Sequence, residues 1–193
     1  MREPKRILID GKPLADVLTL RAVYLESAGK KGKRADLAGA DLHEAQLFGA
    51  DLREINFDGA DLFAANLCEA KLTGATFKGA NLDKANFRDA DLTGADFAGA
   101  RIRRADLCRA NLNGANFAGA ELIGSNLNGA DIDGADFTGA NLEGARLNEL
   151  ENISGSKGLT LDGVKLAFRD SRVEAHFAGA RREAAPAAAR QER

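Results

Sequence analysis

The chain has 193 residues, with 27 Lys plus Arg against 29 Asp plus Glu, and this balance excludes a generally basic nucleic-acid binder. Hydrophobic residues make up 45% of the sequence, too many for a disordered chain, whereas 21 glycines, 3 prolines and no tryptophan are unusual for a globular enzyme. No apolar run approaches the roughly 20 residues of a transmembrane helix, and no signal peptide is recognisable. We therefore expect a cytoplasmic protein, and its 2 cysteines fit a reducing compartment.

Residues 1–34 are predicted to form an N-terminal cap. The apolar run at residues 7–9 followed by Asp10-Gly11 indicates a short strand and a turn. Residues 13–27 are predicted to form a helix, with Pro13 in its first turn and Gly29 after its end. The basic stretch at residues 30–34 is predicted to be a solvated connector.

Residues 35–149 are 23 consecutive pentapeptides, such as ADLAG, ADLHE and AQLFG. The central residue is Leu, Phe or Ile in all 23, and the residue two positions before it is Ala in 21. Asp or Asn usually stands between them. Five residues of an α-helix turn through about 500°, so a period of five leaves no apolar stripe on a helix. A single long strand needs a period of two, which fails at each repeat boundary.

Short extended pieces joined by corners satisfy this period, because Ala and the central residue point inward together while Asp or Asn points outward. Stacked coils of this kind bury a column of apolar side chains and form a β-solenoid. Central phenylalanines recur every 20 residues, at positions 57, 77, 97, 117 and 137, with Phe87 outside the series. The spacing predicts four pentapeptides per coil and nearly six square coils.

The register of five ends after Glu149. Residues 150–170 are predicted to be a C-terminal cap, with a short helix beginning after Thr160 as its N-cap. A further coil fragment over the same residues is the alternative. Residues 171–193 are rich in Ala and Arg, and we expect either a helix or a disordered tail there.

The A(D/N)LXX pattern resembles the pentapeptide-repeat family over 115 of the 193 residues. The resemblance implies an all-β solenoid, specifically a right-handed quadrilateral β-helix, for which we expect short helical caps at both ends. It implies little about function. Some members of the family bind type II topoisomerases, especially DNA gyrase, and confer quinolone resistance.

A search for catalytic chemistry finds no nucleophile–base set, no phosphate-binding loop and no dinucleotide fingerprint. His43 and His176 lack a second ligand at metal spacing, so we expect no metal and no cofactor. Cys68 and Cys108 share a face two coils apart, about 10 Å, which is beyond disulfide reach. Arg88 lies between them and could lower a thiol pKa, but inert surface thiols are the favoured interpretation. We therefore predict that the protein is not an enzyme.

Surface charge suggests two functions. Residues 35–149 carry 10 Lys and Arg against 19 Asp and Glu, so the rod is acidic, yet a basic patch interrupts it. We predict that the patch binds a protein partner of unknown identity. Its positive charge is offset in part by Asp83, Asp89 and Asp106. Phe63 and Ile123 break the polar outer pattern on one face and are predicted to be separate contacts. The speculative partner-binding residues are Phe63, Lys84, Arg88, Arg101, Arg103, Arg104 and Arg109.

The alternative is a DNA mimic that binds a type II topoisomerase through its acidic faces. Its candidate residues are Asp91, Asp131, Asp133 and Asp136. A structural module without a partner is a third possibility, and an end-to-end homodimer through a terminal cap stays open. We expect no direct contact with nucleic acid or membrane.

Overall fold

The computed structural model describes residues 8–9, 12–14 and 36–159. Its first elements are the strands β1 (Leu8–Ile9) and β2 (Lys12–Pro13), which pair antiparallel. β1 overlaps the strand predicted from the sequence. Pro13 ends β2, and Leu14, which follows it and lies within the predicted helix, is helical and buried. The remainder of the predicted N-terminal helix, the C-terminal cap from residue 160 and the tail lie outside the described residues.

A ladder of isolated parallel bridges builds residues 36–157 into stacked coils. Each bridge up to Asn126↔Arg146 joins residues 20 apart, as in Asp61↔Asn81. The predicted four pentapeptides per coil are therefore confirmed. Because each pentapeptide contributes one bridge and then turns a corner, the coil has four flat faces.

The repeat sequence explains the corner. In the repeat around Phe97, the N–H of Ala100 donates to the carbonyl of Phe97 at 2.9 Å and closes a β-turn. Gly99, the third residue of that turn, has a φ of +65°. Asp96 precedes Phe97, and its Oδ1 accepts the N–H of Ala98 at 3.1 Å. Asp or Asn is thus preferred before the central residue because its side chain accepts a turn N–H that the coil leaves unpaired.

The central residues and the alanines of the repeats fill the interior, and most of them are 0% exposed. On one face the rings of the phenylalanine ladder (Phe57, Phe77, Phe97, Phe117 and Phe137) stack in parallel, with centroids 4.7–5.0 Å apart. Phe87 projects from another face and meets Phe77 and Phe97 edge-on at 6.0 and 6.1 Å. The packed interior leaves the outer faces as the surface that can contact another molecule.

The change of register after Glu149 is an insertion of one residue. Asp131 pairs with Asn152 and Asp136 pairs with Lys157, each across 21 residues instead of 20. Leu150 stays buried at 3% exposure beside the insertion. The coil therefore continues into the segment predicted as the start of the C-terminal cap.

Candidate functional site

The predicted basic patch is divided between two neighbouring faces of the rod. Four of its cations lie on the face that we call face 2, which includes residues 61–64, 81–84, 101–104 and 121–124; these are Lys84, Arg101, Arg103 and Arg104. The other two, Arg88 and Arg109, lie on face 3, which includes residues 86–89 and 106–109. The 20-residue ladder sets this division, because each pentapeptide occupies one face.

Asp83 is the centre of a charge cluster on face 2. Its side chain is only 12% exposed. Arg101 donates to Oδ2 at 2.6 Å, and Arg103 donates to the same oxygen at 3.0 Å and from its backbone N–H to Oδ1 at 3.0 Å. Burial tends to raise the pKa of Asp83, but the hydrogen bonds from Arg103 and Arg101 outweigh it and hold that pKa below its ordinary value. Asp83 therefore stays ionised and fixes two guanidinium groups.

Lys84 and Arg104 are the cations of face 2 that have no carboxylate partner among the described residues. Both are exposed. The Nζ of Lys84 lies 5.2 Å from the centroid of the Phe63 ring, a cation–π contact. Arg104 makes no ion pair within residues 36–159. Both cations are therefore free to bind an incoming anion.

An open groove of about 330 Å³ joins these groups along face 2. Phe63 and Ile123, both half-buried, line it three coils apart, with the Asp83 cluster and the free cations between them. Phe63 and Ile123, which the sequence predicts to be separate contacts, both line this groove, and Asp83 and the guanidinium group of Arg103 bound to it lie between them.

The two faces differ in charge. The four segments of face 2 named above carry four cations and three carboxylates, Asp61, Asp83 and Glu121, so they keep a charge of +1. On face 3 Arg109 pairs with Asp89 at 2.7 Å, and Arg88 lies 3.7 Å from both Asp89 and Asp106. The Arg109 hydrogen bond lowers the pKa of Asp89. The three carboxylates predicted to offset the patch do so, but they neutralise face 3 more completely than face 2.

The acidic residues considered for DNA mimicry also lie on two faces. Asp91, Asp131 and Asp133 share one face, and Asp136 lies on the next one along the chain. Asp91 accepts the N–H and the hydroxyl of Thr93 at 3.1 and 2.7 Å. Carboxylates accept turn N–H groups in two other repeats as well. Asp131 accepts the N–H of Asp133 at 3.2 Å, and Asp136 accepts the N–H of Thr138 at 2.9 Å. These carboxylates thus have a local structural role that Asn fills in other repeats.

The remaining candidates show no sign of activation. Cys68 and Cys108 are free thiols and half-buried. Burial, together with Glu69 and Asp89, raises the pKa of Cys68, which opposes any activation by Arg88.

His43 contacts Asp41, its neighbour in the same repeat; His176 lies outside the described residues. Within residues 36–159 no group of three or more His, Cys, Asp or Glu side chains could hold a metal ion. Among the described residues, no helix is long and apolar enough to span a bilayer.

The stacked four-faced coils define a parallel β-solenoid built from five-residue repeats. The family model for pentapeptide repeats matches in 8 copies, over residues 33–62, 60–99, 70–109, 90–129 and 110–148. The chain therefore belongs to the pentapeptide repeat family, and its β-helix is right-handed like those of the family. A comparison with curated proteins finds no match.

Solved structures of pentapeptide repeat proteins resemble the chain. Rfr23 from the cyanobacterium Cyanothece 51142 is 25% identical, with a TM-score of 0.57, over 58% of this chain and 90% of that one. A protein from the Arabidopsis thaliana thylakoid lumen is 38% identical, with a TM-score of 0.49, over 50% of this chain and 68% of that one. HetL from Nostoc, a protein involved in heterocyst differentiation regulation, is 30% identical, with a TM-score of 0.41, over 69% and 67% of the two chains.

Proposed function

We propose that the chain is a non-enzymatic, cytoplasmic protein-binding scaffold whose partner docks in the groove of face 2. One observation carries the proposal: two half-buried apolar side chains, Phe63 and Ile123, flank two cations that have no carboxylate partner among the described residues. Apolar anchors beside charged groups are typical of the contact residues in protein interfaces.

The coil supports binding because its backbone is fixed before the partner arrives. Around the groove, the N–H of Lys84 donates to the carbonyl of Arg103 at 2.9 Å, and the N–H of Arg104 donates to that of Ile123 at 2.9 Å. The outer residues therefore project from a stack of hydrogen-bonded turns and not from a loose loop. A preorganised surface loses little conformational entropy on association, so more of the contact energy appears as affinity.

The cations of face 2 have different roles in the proposed binding. Arg101 and Arg103 are both held by Asp83, and Arg103 lines the groove beside it. Lys84 and Arg104 supply the charge that a partner can neutralise. Phe63 contributes an aromatic surface and positions the ammonium group of Lys84 above its ring.

The test is affinity capture from the native host lysate with the full chain, at low and high salt. The test variant carries Lys84→Glu and Arg104→Glu. The control variant carries Lys71→Glu and Arg146→Glu, which make the same charge change at exposed positions on other faces. We expect a reproducible partner that the wild type and the control retain and the test variant loses. Equal retention by both variants would contradict the assignment of the groove.

DNA mimicry of a type II topoisomerase is the competing hypothesis, and charge density argues against it. Duplex DNA carries one negative charge per about 1.7 Å, or about three charges in the 4.8 Å that one coil occupies. Residues 35–149 carry a net charge of −9 over nearly six coils, about half that density. Capture of a topoisomerase subunit at low salt only, abolished by reversing Asp91, Asp131, Asp133 and Asp136 to Lys, would favour mimicry instead.

A further inference from the structure

The groove of face 2 has a defined length. Phe63 and Ile123 occupy equivalent positions three coils apart. The phenylalanine ladder measures the coil spacing inside the same rod, with successive centroid distances of 4.9, 4.9 and 4.7 Å. The two apolar anchors are therefore separated by about 14.5 Å along the rod axis, and Lys84 and Arg104 lie at the two coil levels between them.

An extended peptide matches this length. A strand rises about 3.3–3.4 Å per residue, and its alternate side chains lie on one side. Residues i, i+2 and i+4 of such a peptide thus face the groove together and span about 13.4 Å. The side chain of residue i+2 falls between the levels of Lys84 and Arg104.

An α-helix matches the same three contacts less closely. At 1.5 Å per residue, 14.5 Å corresponds to about ten residues, and residue i+10 is rotated by about 80° from residue i. The nearest residues on the same side, i+4 and i+11, are rotated by about 40° and about 20° and lie about 6.0 and about 16.5 Å along the axis. A helix therefore overshoots the separation of the two apolar side chains by about 2 Å, whereas a strand falls short of it by about 1 Å.

We propose that the groove binds an extended acidic segment of the partner with the pattern apolar–x–acidic–x–apolar, lying along the rod axis. The apolar side chains contact Phe63 and Ile123, and the central Asp or Glu is shared by Lys84 and Arg104. The net positive charge of the face 2 cluster favours an acidic centre over a neutral or basic one. This inference rests on the proposed scaffold function and adds the chemistry and conformation of the ligand.

The test uses three fluorescein-labelled peptides titrated with the full chain and followed by anisotropy. The first contains Leu-Ser-Glu-Ser-Leu between Gly-Ser flanks. The second replaces Glu with Gln and tests the charge. The third, Leu-Ser-Ser-Glu-Leu, has the same composition as the first but places the acid on the opposite side of an extended chain. We expect the first peptide to bind about tenfold or more tightly than each of the other two, because a charge-assisted hydrogen bond is worth at least that factor.

Two paired variants of the protein locate the binding. Lys84→Ala with Arg104→Ala should abolish the preference for Glu over Gln, whereas Lys71→Ala with Arg146→Ala should keep it. Far-UV circular dichroism confirms that both variants are folded. Equal binding of the first and third peptides, or no binding of the first, overturns the inference. If the lysate experiment captures a partner through Lys84 and Arg104 while the first peptide does not bind, the scaffold proposal stands and the extended ligand is wrong.

Discussion

The phenylalanine ladder predicts that one substitution has different costs along the rod. Phe97 stacks on two rings, at 4.9 and 4.7 Å, and meets Phe87 edge-on at 6.1 Å. Phe57 and Phe137 stand at the ends of the ladder, where each stacks on one ring, at 4.9 and 5.0 Å. Replacement by Leu, which occupies the equivalent position 37, keeps an apolar group in each place and removes the ring pairs.

The loss in the free energy of unfolding follows from the number of ring pairs that each substitution removes. An aromatic pair contributes about 0.5–1.5 kcal/mol beyond its buried area. Phe97→Leu removes three pairs and should lower the free energy of unfolding by about 1–3 kcal/mol more than Phe57→Leu or Phe137→Leu, each of which removes one. Urea unfolding followed by circular dichroism measures these differences, provided that each variant unfolds in a single transition.

Position along the rod needs its own control, because terminal coils of a solenoid contact one neighbour fewer. Leu67, Leu107 and Leu147 are buried in the same three coils as the phenylalanines but lie on face 3. Their Leu→Val variants measure the effect of coil position without a change of aromatic contacts. If Phe97→Leu costs no more than the end variants after this correction, the ladder does not stabilise the rod through ring stacking.

Further predictions concern single residues. The hydroxyl of Ser125 is buried without a hydrogen-bond partner, so Ser125→Ala should raise the free energy of unfolding by about 1–3 kcal/mol in urea; a decrease would contradict its burial. Gly99→Ala should lower it by about 1–2 kcal/mol, since the φ of +65° strains an L residue while a Cβ there meets no atom within 4 Å; no loss would contradict the turn geometry. The pKa of Asp83 is lower in the folded protein than its unfolded value near 3.9, so its stabilisation is complete above that value and is lost as pH falls through the folded pKa. The stability difference between the wild type and Asp83→Asn, measured by urea unfolding across this range, should therefore shrink below about pH 4, and a constant difference would contradict the ion-pair assignment.

The sequence predicts the coil well because each feature of the repeat has one local cause. The 20-residue spacing of Phe57, Phe77 and Phe97 gives the number of faces, and the bridge ladder has the same spacing. The Asp or Asn that precedes most central residues is explained by the hydrogen bond that it accepts from the following turn. These contacts lie within one repeat or between equivalent positions of adjacent coils, so the pattern alone defines them.

The groove could not be predicted in the same way. Its shape depends on the side-chain conformation of Arg103, which bends toward Asp83 and also reaches Glu121. The prediction from the sequence therefore placed six cations in one patch and treated Phe63 and Ile123 as separate contacts. Assigning each outer residue to a face from the 20-residue spacing divides the cations between face 2 and face 3. It does not show that Phe63 and Ile123 line the same groove.

The insertion near Leu150 has a consequence for folding. Coils built from near-identical repeats can pair with the wrong neighbour, displaced by a whole coil, at little cost in hydrogen bonds. The bridge spacing changes from 20 to 21 residues at one end of the rod, after Asn126↔Arg146. A chain that stacks one coil out of place would set the 21-residue coil against the wrong neighbour, so this deviation from the repeat favours a single alignment of the coils.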